Sequence, residues 1–210
     1  MVVEGNPALK IRAVIFDFGG VLVRMVDDRP RIRLAEQLGV PLSRLDDLVF
    51  FSDSSAKASR GEISVGMHWE AVRKALGIQP EDMPGFLEQY WSADDVNWKL
   101  LDTIRDLHPR YKVGLLSNAW EDLRQTLHER WNIDGLFDEM IISAEVGMVK
   151  PDPRIFHLAV ARLNVQPAEA IFIDDIAENV EAARKEGLLA IDYQDTQKTI
   201  EELNRYLAEG

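Results

Sequence analysis

Asp17 ends an apolar run in "VIFDFGGVL", residues 14–22. Later come Ser117 and Asn118 in "LLSN", Lys150 in "VGMVKPDPRIF", and the adjacent pair Asp174 and Asp175 in "FIDD". Brought to one place, these would be three carboxylates, one ammonium and one hydroxyl. The chain has no cysteine and only 4 histidines, so disulfides, thiolate metal sites and cysteine nucleophiles are excluded and an oxygen-rich site is left. Adjacent carboxylates repel unless a cation compensates them, and oxygen ligands suit Mg²⁺. Mg²⁺ in turn keeps waters and serves phosphate groups. The lysine and the hydroxyl would complete a phosphate cradle, with backbone N–H groups at Phe18, Gly19, Asn118 and Ala119 as donors.

Such a site needs elements that converge. Four short apolar runs read as buried strands: "AVIF" at 13–16, "KVGLLS" at 112–117, "EMIIS" at 139–143 and "AIFID" at 170–174, with "LLAID" at 188–192 as a fifth. Helical stripes alternate with them: Val96, Leu100, Ile104 and Leu107; Trp120, Leu123, Leu127 and Trp131; Ile155, Ala159 and Leu163; Ile200, Leu203 and Leu207. Alternation of apolar strands with helices predicts an α/β fold, a doubly wound parallel sheet covered on both faces. Each polar group falls at a strand's carboxyl end or starts the helix after it, where such sheets bind ligands. Asp152 is placed to cap a helix that Pro153 opens, and Glu178 to support the next start.

From about Arg24 to Asp95 the alternation stops. Helical patterns occupy 29–38, 41–51, 62–76 and 80–91, too much chain for a loop. The reading is an all-helical cap at 24–95 inserted into an α/β core made of 1–23 and 96–210. A cap over strand-end groups would exclude water and choose the substrate.

The composition agrees. Over 210 residues, 46% are hydrophobic and 29% charged, enough for one good core plus an insertion. A net charge of −12 argues against a nucleic-acid partner held through its phosphate backbone, yet leaves room for small phosphorylated metabolites beside a local cation. No apolar run has membrane-spanning length. The opening "MVVEGNPALK" lacks the pattern of a signal peptide and reads as a short tail, so the cytoplasm is the expected location. A monomer and a homodimer are equally compatible with the sequence.

In order and spacing, "DFGGVL", "LLSN", "VGMVKPDPRIF" and "FIDDIAENVEAARKEG" resemble the four motifs of the haloacid dehalogenase superfamily, over nearly the whole chain. An insertion after the first motif fits its helical-cap subgroup. "SNAWED", "VGMVKP" and "FIDD" are similar to the N-terminal phosphatase domain of soluble epoxide hydrolases. "RGEIS" at 60–64, with "GMVKPDPRIF", is similar to a group of bacterial α-glucose-1-phosphate phosphatases. The resemblance implies an Mg²⁺-dependent phosphatase acting on a small phosphorylated metabolite such as a sugar phosphate. Asp17 would be the nucleophile, forming an aspartyl-phosphate that water hydrolyses. Ser117, Asn118, Lys150 and the Phe18 N–H would bind the phosphoryl group. Asp17, the Gly19 carbonyl and Asp175 would hold Mg²⁺, with Asp174 direct or through water.

Gly19 departs from the family pattern, which carries there an aspartate that protonates the leaving alcohol. Such help is worth roughly 10²–10⁴-fold. Three readings stay open: a substrate whose leaving group needs little protonation, such as a sugar 1-phosphate or an acyl phosphate; a substitute such as Glu62, His68 or Asp53 from the cap, or a water chain; or a protein that binds phosphate ligands and turns over poorly. A 2-haloacid dehalogenase is the rival enzyme, since a halide leaves without a proton. Plainer roles also exist. Asn118 can cap the next helix with Glu121 opposite it, most histidines read as surface residues, and the tryptophans read as core, with Trp120 able to wall a pocket.

Overall fold

A computed structural model describes residues 10–209; the tail-like opening segment lies outside them. Strand β1 (Ala13–Phe16) leads through β2 (Val23–Met25) into five helices. These are α1 (Arg29–Leu38), α2 (Leu42–Phe50), α3 (Asp53–Ser59), α4 (Val65–Leu76) and α5 (Met83–Trp91). Then come β3 (Asp94–Val96), α6 (Trp98–Leu107), β4 (Lys112–Ser117) and α7 (Leu123–Thr126), which runs into a π-turn at Leu127–Trp131. The remainder is β5 (Glu139–Ile142), α8 (Ser143–Val146), α9 (Pro153–Arg162), β6 (Ala170–Asp174), α10 (Ala177–Lys185), β7 (Leu189–Asp192) and α11 (Thr196–Glu209).

The main sheet has the order β5-β4-β1-β6-β7, every pair parallel. The expected doubly wound α/β fold is therefore present. Strand β1 is central. The chain moves from it to β4 and β5 on one side, then to β6 and β7 on the other, so the topological switch point lies at its carboxyl end. Two-residue alternation divides the strand between faces. Val14 and Phe16 join the core of α6 and α11, with Leu100, Ile104 and Leu203; Ala13 and Ile15 join that of α9 and α10, with Phe156, Ala159 and Ala183.

The inserted helices have a core of their own, built on Leu34, Leu45, Val49, Val72, Phe86 and Tyr90. Two features here depart from the sequence reading. A short antiparallel ribbon, Val23↔Val96 to Met25↔Asp94, joins the insertion to the sheet, although no strand was expected between 24 and 95. Three residues per strand are too few to show a period, and Val96, taken as the first residue of a helical stripe, lies in this ribbon instead. Helix α3 was also missed, because "DSSAKAS" has no apolar stripe; Ser52 starts it by accepting the Ser55 N–H.

Arg31 holds the insertion together from inside. It is buried, pairs with Asp94 at 2.8 Å, donates to the Tyr90 carbonyl and lies 4.1 Å from the centre of the Tyr90 ring. No helix among the described residues is long and apolar enough to cross a membrane.

Candidate active site

Asp17 follows β1 directly. Its N–H continues the ladder to the Ile173 carbonyl at 2.8 Å, so its backbone is fixed as part of the sheet while its side chain clears the strand end. Lys150 reaches it from the β5–α9 connection. The ammonium is 2.7 Å from Asp17 Oδ1, 2.6 Å from Asp174 Oδ2 and 3.0 Å from the Leu116 carbonyl. An ammonium has three N–H groups, and all three are engaged.

Asp174 is equally saturated. Oδ1 accepts from the Ile176 N–H and from Asn179 Nδ2; Oδ2 accepts from Lys150 and from Asn179. Those four bonds fill the four acceptor positions of a carboxylate, and the residue is 0% exposed. Asp175, next in sequence, is exposed and reaches the crevice. One oxygen from each of Asp17, Asp174 and Asp175 lies within 4.8 Å of the others. Three carboxylates against one ammonium leave net negative charge at a buried strand end. Burial pushes the Asp17 carboxyl up to about 6; the Lys150 charge opposes this and Asp174 reinforces it. Desolvation, and then the charge of Asp174, also raises Asp175.

This donor set fits a hard divalent cation. It is all oxygen, has no histidine among its ligands, and its charge is unbalanced without one. The Gly19 carbonyl, expected from the sequence as a further ligand, is free of the neighbouring bridge. Gly19 is exposed, and the bridge between Gly19 and Val23 runs through the Gly20 N–H and the Phe18 carbonyl, so neither polar group of Gly19 is spent on it. Gly20 is the glycine the geometry requires. Its φ is +82°, and a Cβ there would fall 2.0 Å from Asp175 Oδ2. Gly20→Ala is expected to displace Asp175 and to cost roughly 1–2 kcal/mol in backbone strain alone. An Mg²⁺-induced thermal shift much smaller than that of the native protein would show it.

The phosphate cradle expected from the sequence is partly engaged inside the protein. The Phe18 N–H donates to Asp17 Oδ1 at 2.7 Å, and the Ala119 N–H donates to Ser143 Oγ at 2.9 Å. Asn118 does not cap a helix. Its amide accepts from the Lys150 N–H at 2.7 Å and donates to the Lys150 carbonyl at 2.9 Å, tying the second motif to the third. Glu121, read as its capping partner, accepts from Val65 at the start of α4 instead. Glu178 makes no capping box either; α10 starts at Ile176 without a side-chain cap. Asp152 does cap α9, as expected. Ser117 is buried at the end of β4. Asn179, Ser143 and Gly20 were not anticipated. Asn179 had a faint signal, an amide on the first turn after the acidic pair; Ser143 had none.

Trp120 was placed on a helical stripe, but it lies before α7 and packs into the core of the insertion. It stacks on Phe50 at 6.3 Å between centroids and meets Trp69 edge-on at 5.3 Å. His68 lies 4.7 Å from it and is fully buried, whereas the other three histidines are exposed, as expected of most of them. Its Nδ1 contacts Ser54 Oγ at 2.9 Å. A second contact joins the two halves at Gly61, where a Cβ would fall 2.3 Å from the Ala144 carbonyl. Glu62 pairs with Arg60 at 2.6 Å and Asp53 with Lys57 at 2.7 Å.

The family model for haloacid dehalogenase-like hydrolases matches residues 11–187, which takes in Asp17, Ser117, Lys150 and both aspartates of the acidic pair. The chain belongs to the haloacid dehalogenase-like hydrolases. Among curated proteins it is 27% identical to bifunctional epoxide hydrolase 2 of Sus scrofa over 94% of this chain and 39% of that protein. The chain thus spans well under half the length of the epoxide hydrolases it matches. It is also 27% identical to D-ribitol-5-phosphate phosphatase of Bacteroides thetaiotaomicron, over 84% of this chain and 89% of that one. A solved haloacid dehalogenase family enzyme from B. thetaiotaomicron, in complex with magnesium and inorganic phosphate, superimposes with a TM-score of 0.75 at 21% identity, covering 90% of this chain and 98% of that one. The parallel sheet with its inserted helices is the fold that this superposition shares.

Proposed function

We propose that this hydrolase releases inorganic phosphate from a small phosphorylated metabolite, with Mg²⁺ as cofactor and Asp17 as nucleophile. The observation that carries the reading is the oxygen-only trio of Asp17, Asp174 and Asp175 around a saturated lysine at the switch point. Halide displacement by Asp17 would need no such cation. The phosphatase among the relatives and the phosphate-bound neighbour point the same way.

In this reading Asp17, the Gly19 carbonyl and Asp175 hold Mg²⁺ directly, and Asp174, its acceptor positions filled, acts through Lys150. The ion supplies charge neutralisation at the transferring phosphoryl group. Ser117 and the Gly19 N–H bind phosphoryl oxygens. Lys150 keeps Asp17 and Asp174 in register, and Asn118 keeps Lys150 in place. The helical insertion, residues 24–95, forms a cap that closes on a core of 1–23 and 96–210, with Trp120 anchored in the cap.

Phosphate release from a panel of sugar, acyl and lipid phosphates, with and without Mg²⁺, tests the reading beside chloride release from a 2-haloacid. Mg²⁺-dependent phosphate release is expected. Chloride release without phosphate release would overturn it.

A proton and the ion compete for Asp17. Mg²⁺ affinity is therefore expected to fall as pH drops through about 6. The slope approaches about tenfold per pH unit once the carboxyl is protonated in the free protein. Titration calorimetry between pH 5 and 8, as an approximate window around that value, would reveal it.

A further inference from the structure

Departure of an alkoxide from phosphorus needs a proton, and the groups around Asp17 hold none free to give. Lys150 spends its three N–H groups on Asp17, Asp174 and the Leu116 carbonyl. Asp174 is an acceptor on all four sides. The Asn118 amide is engaged with the Lys150 backbone. Two residues past Asp17, Gly19 has no side chain, and the space where its Cβ would stand holds no heavy atom within 4 Å.

The acids available from the helical insertion are committed elsewhere. Glu62 is paired with Arg60 and Asp53 with Lys57. His68 is buried between Trp69 and Trp120 with its Nδ1 on Ser54; its Nε2 has no partner, but burial lowers its pKa and disfavours the charged form that could give a proton. The other three histidines lie against Asp138, Asp134 and Glu186. Asp175, the remaining carboxyl near Asp17, is taken up by the ion in the phosphatase reading, so none of these groups is left to protonate a leaving group.

From this accounting we infer that the substrates are phosphoric anhydrides of the acyl phosphate class, whose leaving group departs as a stable anion, in preference to alkyl phosphate esters. This rests on the phosphatase reading above and narrows it. In the first step an Asp17 carboxylate oxygen bonds to phosphorus while the bond from phosphorus to the acyl oxygen breaks. The electron pair leaves with a carboxylate, which stays ionised at neutral pH without help. In the second step a water oxygen bonds to phosphorus and the aspartyl oxygen leaves, restoring the Asp17 carboxylate. One water proton stays on the attacking oxygen and the other passes to a phosphoryl oxygen. Acyl phosphate dianion and water thus become carboxylate and dihydrogen phosphate, with no proton borrowed from the protein. With an alkyl ester the same first step would expel an alkoxide, and the missing acid would be felt as about 10²–10⁴-fold in rate.

The test is kcat/KM, which reports the first irreversible step, for acetyl phosphate, a series of aryl phosphates of graded phenol acidity and an alkyl phosphate of similar size, all with Mg²⁺. The native protein should show a steep fall with rising leaving-group pKa, and at least about 10²-fold between acetyl phosphate and the alkyl ester. Gly19→Asp, which fits the open space without a left-handed backbone, should flatten that slope chiefly by raising the alkyl ester. A flat series in the native protein, with the alkyl ester turned over as well as acetyl phosphate, would overturn the inference and leave the phosphatase reading standing. Absence of phosphate release from every member, by native protein and variant alike, would sink both.

Discussion

Asp17→Asn is expected to lower Mg²⁺-dependent phosphate release on the order of 10³-fold or more while making the metal-free protein more stable at pH 7. The loss of rate follows from the chemistry. An amide oxygen is a poor nucleophile toward phosphorus, and the variant also removes one anionic ligand of the ion. The gain in stability follows from the charge balance. The folded protein holds Asp17 at a raised pKa because burial disfavours its anion. The sign is then fixed by linkage. Over the window from the unfolded value near 3.8 up to about 6, the native state binds the extra proton, so its stability falls as pH rises through that range. Asparagine does not ionise and escapes this loss, while Lys150 keeps its bond to Asp174. The variant should be more stable by about 1–3 kcal/mol at pH 7 in the presence of a chelator, and by little below pH 4. Urea unfolding at the two pH values measures it. A destabilised variant at pH 7 would show that the ion pair with Lys150 outweighs the cost of burying the charge. The active site is thus a place where function is kept at the expense of stability.

Lys150→Met should have the opposite sign and the larger structural effect. The methionine fills most of the volume and supplies no charge. Asp17 and Asp174, both buried, then face each other and Asp175 with no cation among them. Removing one member of a buried pair costs about 3–5 kcal/mol, because the remaining charge stays desolvated. For a chain of this size that corresponds to a fall in Tm of about 6–20 °C in chelator. Mg²⁺ should recover part of it, since an ion at 100 times its Kd contributes about 2.7 kcal/mol and takes over the compensation that the lysine provided. A metal-dependent rise in Tm larger than that of the native protein would establish that Lys150 and the ion balance the same charge. Activity should stay low even when the fold is recovered, because Asp17 and Asp174 lose the group that sets their spacing. Little change in Tm without metal would remove Lys150 from this role.

The relation between Asn118 and Lys150 shows how far apart in the chain such a site is assembled. Read alone, an asparagine after a strand is a helix cap, and a lysine before a proline is a loop residue. Their reciprocal backbone bonds at 2.7 and 2.9 Å make them one unit. Trp120 teaches the same lesson for the insertion. Its spacing to Leu123 and Leu127 matched a helix, yet it leaves the helix and fills the aromatic cluster of the other half, because a large ring is worth more buried against Phe50 and Trp69 than aligned on a stripe.

The sequence by itself determined the parallel sheet, the interruption after β1, the strand-end placement of Asp17, Ser117, Asp174 and Asp175, and the place of Lys150 just before a helix. These follow from local rules: apolar runs of strand length, helical periods between them, and polar residues where the runs stop. It also settled the oxygen-only chemistry, since a chain without cysteine has few other ligands. Only the tertiary structure decided which glycine is indispensable. Gly19, the conspicuous gap in the sequence, faces open space, whereas Gly20 has a left-handed backbone against Asp175. It alone decided that Asp174 and the Lys150 ammonium have no bonding capacity left, because Asn179, the Ile176 N–H and the Leu116 carbonyl take what the ion pairs leave, and that the space where a Gly19 Cβ would stand is open. Hydrogen-bond saturation is a property of partners far apart in the chain. No spacing within one segment can record it, and it is what turns a cluster of charged residues into a site with a defined proton inventory.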